Sequence, residues 1–174
     1  MLNTLIPQHE MAAKLARLEK AFEDLKALET GGGGQGCKVK TDGSTTLVNN
    51  STWVTFSFGV GSEVWDDLGF HSETVNPTRI AIPTDGRYLL VGNIWAASAN
   101  GVYLYGRFWK NGATQLAMAE TLGAAHLNAD DAGLCLVWED SFVAGDYVEF
   151  QGNAFIANIV VAAGQATFSI RSIG

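Results

Sequence analysis

The chain has 174 residues, of which 47% are apolar and 17% charged, with a formal net charge of −7. Disorder is excluded, because this apolar content supplies enough surface to offset the entropy of ordering the chain. Eleven Lys and Arg residues do not form the cation clusters that nucleic acid or an anionic membrane surface requires, so neither is an expected partner.

The N-terminal tip is short and apolar. Its first ten residues lack a basic segment followed by a long apolar run, so we expect no signal peptide and synthesis in a cytoplasm. No stretch approaches the roughly 20 apolar residues of a membrane span, so no membrane insertion is expected. Leu2, Leu5 and Ile6 lie outside the repeat that follows, and we interpret them as an anchor to a larger assembly.

Residues 7–29 predict a helix, because strong helix formers dominate and glycine is missing. Apolar residues recur at alternating spacings of 4 and 3, the seam of a coiled coil, at Met11, Leu15, Leu18, Phe22 and Leu25. A single amphipathic helix packed on its own domain needs the same stripe and remains an alternative. The glycine run at 31–36 favours the coiled coil, because it separates the helix from the rest. We therefore divide the chain into anchor and stalk (1–30), linker (31–36) and head (37–174).

The head changes to the period of β-strands. Runs rich in aromatic and β-branched residues alternate with turn dipeptides. The predicted strands cover residues 54–58, 88–95, 103–109, 134–139, 147–151 and 166–173. Asn111-Gly112 is a hairpin signal, because both residues tolerate positive φ. The sequence thus predicts a mainly β sandwich or barrel.

The two cysteines show no spacing typical of a metal site or a disulfide framework. Cys135 lies in an apolar run, which predicts a buried, reduced thiol. Cys37 directly follows the linker, and the sequence leaves open whether it is free or cross-linked.

Four motifs of the head, in order, resemble those of complement-type globular heads, the group related to tumour necrosis factor. Residues 82–91 resemble the tip-x-x-G-x-Y strand, 108–112 the kNG hairpin, 142–148 the l-x-x-GD-x-V turn and 166–170 the last strand. The resemblance covers nearly all of residues 40–174. It implies a ten-strand jelly roll that forms a homotrimer around a threefold axis, with a coiled-coil stalk ahead of the head.

The resemblance also indicates the kind of assembly to which the protein belongs. Animal members carry a signal peptide and collagen-like repeats; we find neither here, so complement, hormone and receptor functions are not carried over. Similar heads occur on bacteriophage virions. We therefore expect a trimeric fibre or knob on the virion surface, joined to other virion proteins through its N-terminus and, as a tail appendage, contacting the host. A capsid decoration or head fibre without an obligatory receptor is the alternative, and a small carbohydrate-active enzyme is a second one.

Catalytic motifs are not evident, and we expect no enzyme. His9, His71 and His126 lack a nucleophile motif nearby, and we interpret them as surface or interface histidines. The adjacent acidic residues Asp66-Asp67 do not suit a glycosidase, because neighbours on a strand point to opposite faces.

A calcium site is the one cofactor considered. Asn128, Asp130, Gly133 and Glu139 fall at positions 1, 3, 6 and 12 of an EF-hand-like loop, but position 5 is Ala132. The flanking segments do not read as helices, so a true EF-hand is not expected. A looser site in the 128–131 loop has Asn128, Asp130 and Asp131 as its candidate ligands. No other cofactor is expected.

Aromatic side chains are the remaining candidates for binding a host glycan or protein. They suit stacking on sugar rings, but they equally suit the core or the trimer interface. The candidates are Trp65, Trp95, Tyr103, Tyr105 and Trp109. Loops 61–76, 96–102 and 121–132 are the candidate binding regions, because loops on a rigid scaffold often carry recognition.

Overall fold

The structure is a computed structural model and describes residues 34–49, 52–97, 103–122 and 131–173. The predicted anchor, the stalk and most of the linker lie outside these residues. Gly36, the last residue assigned to the linker, is the first residue of a strand. Within the described ranges, no helix is long and apolar enough to cross a bilayer.

Twelve strands make up the described head, arranged as two sheets. The first sheet contains β1 (Gly36–Lys40), β2 (Thr45–Leu47), β4 (Glu63–Asp66), β6 (Gly86–Ala97), β9 (Asp131–Phe142), β11 (Ile159–Val161) and β12 (Ala166–Ser172). The second contains β3 (Val54–Thr55), β5 (Arg79–Ala81), β7 (Tyr103–Lys110), β8 (Thr114–Leu122) and β10 (Tyr147–Phe155).

The two sheets form an antiparallel jelly-roll sandwich. In the first, β6 lies between β9 and β12, and β1 joins β12 to β4. In the second, β10 pairs with β7 on one side and with the short strands β3 and β5 on the other, and β7 pairs with β8. The mainly β jelly-roll prediction is confirmed. Short peripheral strands bring the number to twelve rather than the ten that the resemblance implied.

The five longer predicted strands are present as β6, β7, β9, β10 and β12. β12 is one residue shorter than predicted, and the other four are at least as long as predicted. Of residues 54–58, only Val54–Thr55 form a named strand. β8 was not predicted. Its sequence, TQLAMAETL, is rich in helix formers, and pairing with β7 along its length overrides that local preference.

A cluster of phenylalanine rings joins the sheets. Phe168 of the first sheet lies 5.2 Å from Phe108 and 5.9 Å from Phe150 of the second, measured between ring centroids. Phe108 and Phe150 are 5.5 Å apart. All three are fully buried, because side chains along a strand point to alternate faces and these three lie on the face toward the other sheet.

The two cysteines occupy different environments. Cys37 is fully buried and free. Cys135 is exposed, so the prediction of a buried thiol was wrong. The neighbouring Leu134 and Leu136 of β9 are buried, and the intervening Cys135 points away from the core. An apolar run does not reveal which of its alternate residues faces outward.

His71 is buried, which corrects its interpretation as a surface or interface histidine. Its side chain has no exposed area, and Nδ1 lies 3.2 Å from Oε1 of Glu63. Nε2 lies 3.4 Å from the carbonyl oxygen of Pro77. The ring therefore bridges two parts of the 61–81 region as a structural element.

Candidate binding surface

Several predicted site residues lie outside the described residues. These include the stalk seam (Met11, Leu15, Leu18, Phe22, Leu25), the anchor (Leu2, Leu5, Ile6) and two calcium candidates (Asn128, Asp130). Asp131 is the first residue of β9. Among the residues that the structure describes, no three His, Cys, Asp or Glu side chains are grouped as a metal site would require. The stalk, anchor and calcium site therefore stay predictions.

The candidate loop 61–76 is organised by its own acidic residues. Asp66 accepts backbone N–H bonds from Phe70 at 3.0 Å and His71 at 2.9 Å. Asp67 accepts the N–H of Gly36 at 3.1 Å. This acidic pair stabilises a turn and the start of β1, and the two carboxylates do not converge in a cleft.

The predicted aromatic residues are divided between the two sheets, and none belongs to the fully buried core. Trp65 and Trp95 lie on the first sheet, and Trp95 is 52% exposed. Tyr103, Tyr105 and Trp109 occupy alternate positions of β7, where Leu104 and Phe108 point inward. The three β7 residues therefore share the outward face of the second sheet.

That outward face is a continuous surface, which we call the aromatic face. β7 and β10 place Tyr103 opposite Phe155 and Tyr105 opposite Asn153. β8 adds Met118 beside Arg107, and Trp53 precedes β3 at the other side of β10. The aromatic face consists of Trp53, Tyr103, Tyr105, Arg107, Trp109, Met118, Asn153 and Phe155.

Arg107 is clamped between two indoles. Its Cζ lies 4.2 Å from the ring centroid of Trp53 and 4.0 Å from that of Trp109. Nε donates to Oε1 of Gln151 at 2.7 Å, and Gln151 in turn donates to Oγ1 of Thr55 at 3.0 Å. Burial lowers the pKa of Arg107 from its usual value. The guanidinium is thus used to fix Trp53 and Trp109 in place.

The tyrosines form a second part of the same face. The rings of Tyr103 and Tyr105 stack with centroids 6.4 Å apart, and Phe155 lies 6.2 Å from Tyr103. Desolvation, and then the charge of Glu120, raise the pKa of Tyr105. A side-chain hydrogen bond with Glu120 raises it further, so the Tyr105 hydroxyl is already engaged with that carboxylate.

A depression of about 200 Å³ opens on the aromatic face and is lined by Trp53, Tyr105, Met118, Asn153 and Phe155. Asn153 is the most buried of these residues, at 7% exposure. Its Oδ1 has no hydrogen-bond partner among the described residues. Leaving a buried acceptor unpaired costs about 1–3 kcal/mol. Apolar walls with one convergent polar group are typical of small-ligand sites.

Five of the eight residues of the aromatic face were not predicted from the sequence, because their contribution depends on which strands pair and in what register. They are Trp53, Arg107, Met118, Asn153 and Phe155. The alternation of Tyr103, Tyr105 and Trp109 was visible, and it does place them on one face. The partner positions on β10 follow only from the register of the sheet.

A second exposed apolar surface lies on the first sheet, on the opposite side of the sandwich. Val91 of β6 lies directly opposite Val137 of β9, which is 55% exposed. Leu89 and Trp95 continue the same side of β6. We call these four residues the apolar stripe. A shallow depression of about 300 Å³ beside Trp95 is lined in part by Cys135.

A third depression, of about 200 Å³, lies near His71, Arg79 and Tyr147. The Cζ of Arg79 stacks 4.0 Å above the ring centroid of Tyr147, and its Nε donates to Glu149 at 3.3 Å. The cation of Arg79 is therefore already paired. His71 is held by Glu63 and Pro77, so this depression contains no catalytic arrangement of nucleophile and base.

Comparison by sequence identifies no relative: no protein family profile and no curated protein matches the chain. Solved structures do match. The structure of Eiger TNF from S. frugiperda is 7% identical, with a TM-score of 0.55, and the match covers 82% of this chain and 94% of that one. Murine APRIL at pH 5.0 is 10% identical, with a TM-score of 0.59, covering 80% of this chain and 99% of that one.

A second structure of murine APRIL, at pH 8.0, gives a TM-score of 0.57 at 8% identity, with coverage of 80% and 98%. At such identities the likeness concerns the fold alone. It extends over nearly the full length of each matched chain, and it agrees with the four motifs read from the sequence. The described part of the chain is a globular head with the jelly-roll fold of tumour-necrosis-factor-like proteins.

Proposed function

We propose that the chain is the subunit of a homotrimeric knob on a bacteriophage particle, and that its heads contact the host surface. One observation carries the proposal: the sandwich presents two exposed apolar surfaces on opposite sides. The apolar stripe on the first sheet is assigned to contact between copies. The aromatic face on the second sheet is then left free to meet a ligand.

The apolar stripe suits a subunit interface. Soluble monomers rarely expose contiguous apolar patches of large area, and such patches mark sites of association. Charged residues are scarce in the whole chain, at 17%, as is typical of subunits whose surface is partly covered by partners. Closed rotational symmetry makes each copy contribute the same surfaces. In this proposal, the stalk predicted at residues 7–29 holds three copies together.

The virion setting rests on the resemblance of the head motifs to complement-type globular heads, since similar heads also occur on bacteriophage virions. In this proposal, Leu2, Leu5 and Ile6 attach the trimer to other virion proteins. The heads then project from the virion surface as part of a tail appendage. Three heads on one stalk give avidity, so each head needs only a weak contact with the host.

The test uses the full-length protein, labelled with a fluorophore and added to cells of a strain on which the phage grows. Flow cytometry should show saturable binding that excess unlabelled protein displaces. Immunogold labelling of intact particles should mark tail appendages. Labelling confined to the capsid shell, together with no binding to cells, would contradict the host-contact role and support the decoration alternative.

A further inference from the structure

We propose that the depression on the aromatic face is a binding site for one neutral hexose residue of a surface glycan. This inference rests on the proposed function and names the ligand class of its outward-facing surface. The site is defined by Trp53, Tyr105, Met118, Asn153 and Phe155.

The first argument is the shape and chemistry of the walls. A pyranose ring has an apolar face of C–H groups, which packs against aromatic rings, and an equatorial rim of hydroxyls. The depression, at about 200 Å³, has the volume of about six or seven water molecules. One six-membered sugar ring fits that volume. Tyr105 and Trp53 offer aromatic surface, and Phe155 and Met118 are about half exposed.

The second argument is the unpaired amide of Asn153. Its Oδ1 is buried and has no hydrogen-bond partner in the part of the chain that the structure describes. Buried acceptors in folded proteins are nearly always paired, so an orphan one requires an explanation. A sugar hydroxyl is a donor of the right kind to satisfy it, once the amide turns its Oδ1 toward the depression that Asn153 lines. A lipid chain or an aliphatic side chain has no such donor, so a purely apolar ligand leaves the acceptor unpaired.

The third argument is charge. None of the five lining residues is ionised at neutral pH, and the carboxylate of Glu120 lies opposite Tyr105 on β8. The nearby cation, Arg107, is sandwiched between Trp53 and Trp109 and donates to Gln151. Both faces of the guanidinium are therefore covered, and its Nε–H is already used. The site favours a neutral sugar over a sialylated or phosphorylated one.

The fourth argument is preorganisation. Ligand affinity is greatest when the binding groups are already held in place. Arg107 fixes the indole of Trp53, and Gln151 fixes Arg107 while bonding Thr55 of β3. Tyr103 stacks on Tyr105 and contacts Phe155. The walls are thus supported by strands on both sides and do not need to form on binding.

The test is a glycan microarray, read with the full-length protein. It carries neutral oligosaccharides of glucose, galactose, mannose and N-acetylhexosamines beside sialylated and phosphorylated ones. The expected result is retention on a subset of the neutral glycans. Tyr105→Ala and Asn153→Leu should each reduce retention at least tenfold. Val143→Ala removes an exposed apolar side chain outside the site and should leave retention unchanged.

Asn153→Leu separates binding from folding. It replaces the unpaired amide by an apolar group of similar size, so thermal unfolding should occur at the same or a higher temperature. Retention that survives in both Tyr105→Ala and Asn153→Leu, or retention on acidic glycans alone, would overturn the inference. So would a loss of oligomeric mass in Tyr105→Ala, because the face would then bind another copy of the chain.

The two proposals fail in different ways. If the wild-type protein binds host cells but no neutral glycan, the hexose site is wrong and the host-contact role stands. If it binds a neutral glycan through Tyr105 and Asn153 but no host cell, the site stands and the assigned role of the knob is wrong. Binding to neither overturns both.

Discussion

Asn111 and Asp146 connect two turns that are far apart in the sequence: Nδ2 of Asn111 donates to Oδ1 of Asp146 at 2.7 Å. Asn111 follows β7, and Asp146 precedes β10. Nζ of Lys110 lies 2.8 Å from Oδ2 of the same carboxylate. The kNG and GD motifs noted in the sequence are therefore the two halves of one structural contact.

Removing the Asn111 side chain should destabilise the head. Asn111 has a φ of 53°, which asparagine tolerates better than alanine, and its Oδ1 accepts the N–H of Tyr147 at 2.8 Å. We expect Asn111→Ala to lower the free energy of unfolding by about 1–3 kcal/mol. Urea denaturation at pH 7 measures this change.

Asn111→Gly is the matched control, because glycine accepts positive φ without strain but makes no side-chain hydrogen bond. Asn111→Gly should therefore restore only the part of the free energy of unfolding that Asn111→Ala loses through backbone strain at positive φ. Equal stability of the wild type and Asn111→Ala would show that the contact with Asp146 contributes nothing.

The same carboxylate should make stability depend on pH. Burial tends to raise the pKa of Asp146, but hydrogen bonds from Lys110, Asn111 and Val143 outweigh it and lower the pKa below the usual 3.8. The folded state thus binds its proton less readily than the unfolded state. The contribution of Asp146 is present above pH 4 and is lost as the pH falls through the lowered pKa.

Asp146→Asn removes this titration. Its free energy of unfolding should be lower than that of the wild type at pH 7, and the two should converge as the pH falls below about 4. Urea denaturation of both proteins at several pH values measures the difference. A difference that stays constant from pH 7 to pH 2.5 would contradict the assignment.

The two thiols should differ in reactivity. Burial, and then the charges of Asp66, Glu63 and Asp67, raise the pKa of Cys37 well above its usual value, so little thiolate forms. In a Cys135→Ser variant, we expect no reaction with a thiol reagent in the native state. One thiol should react after unfolding in guanidinium. A native Cys135→Ser protein that reacts within seconds would show that Cys37 is accessible.

Gly36 should not tolerate a side chain. A Cβ at this position would lie 2.0 Å from the backbone oxygen of Ile170, which cannot move without disturbing the pairing of β1 with β12. We expect Gly36→Ala to lower the melting temperature by several degrees, equivalent to about 1–3 kcal/mol. Gly43→Ala is the control, since a Cβ there meets nothing within 4 Å. Identical melting curves for both variants would show that this end of β1 is loosely held.

More of the fold than of the site could be predicted from the sequence. Alternation and turn signals located β6, β7, β9, β10 and β12, because each contains a run long enough to show its period. Strands of two to four residues, such as β3 and β5, carry no readable period and are defined by the strand they pair with.

Predicting the site requires knowing how separate strands pair, and no single segment of the sequence shows that pairing. Tyr103 and Tyr105 lie on one face by strand alternation, which the sequence shows directly. Their neighbours Asn153 and Phe155 depend on the register between β7 and β10. The burial of His71 likewise depends on Glu63 and Pro77 folding around it, and no local pattern indicates that contact.

The measurement that tests the central claim most directly is the mass of the full-length protein in solution, by size-exclusion chromatography with light scattering. The claim is that the apolar stripe and the stalk assemble three chains, which frees the aromatic face to point outward. At micromolar concentration the account predicts three times the chain mass. A mass equal to that of one chain would contradict it.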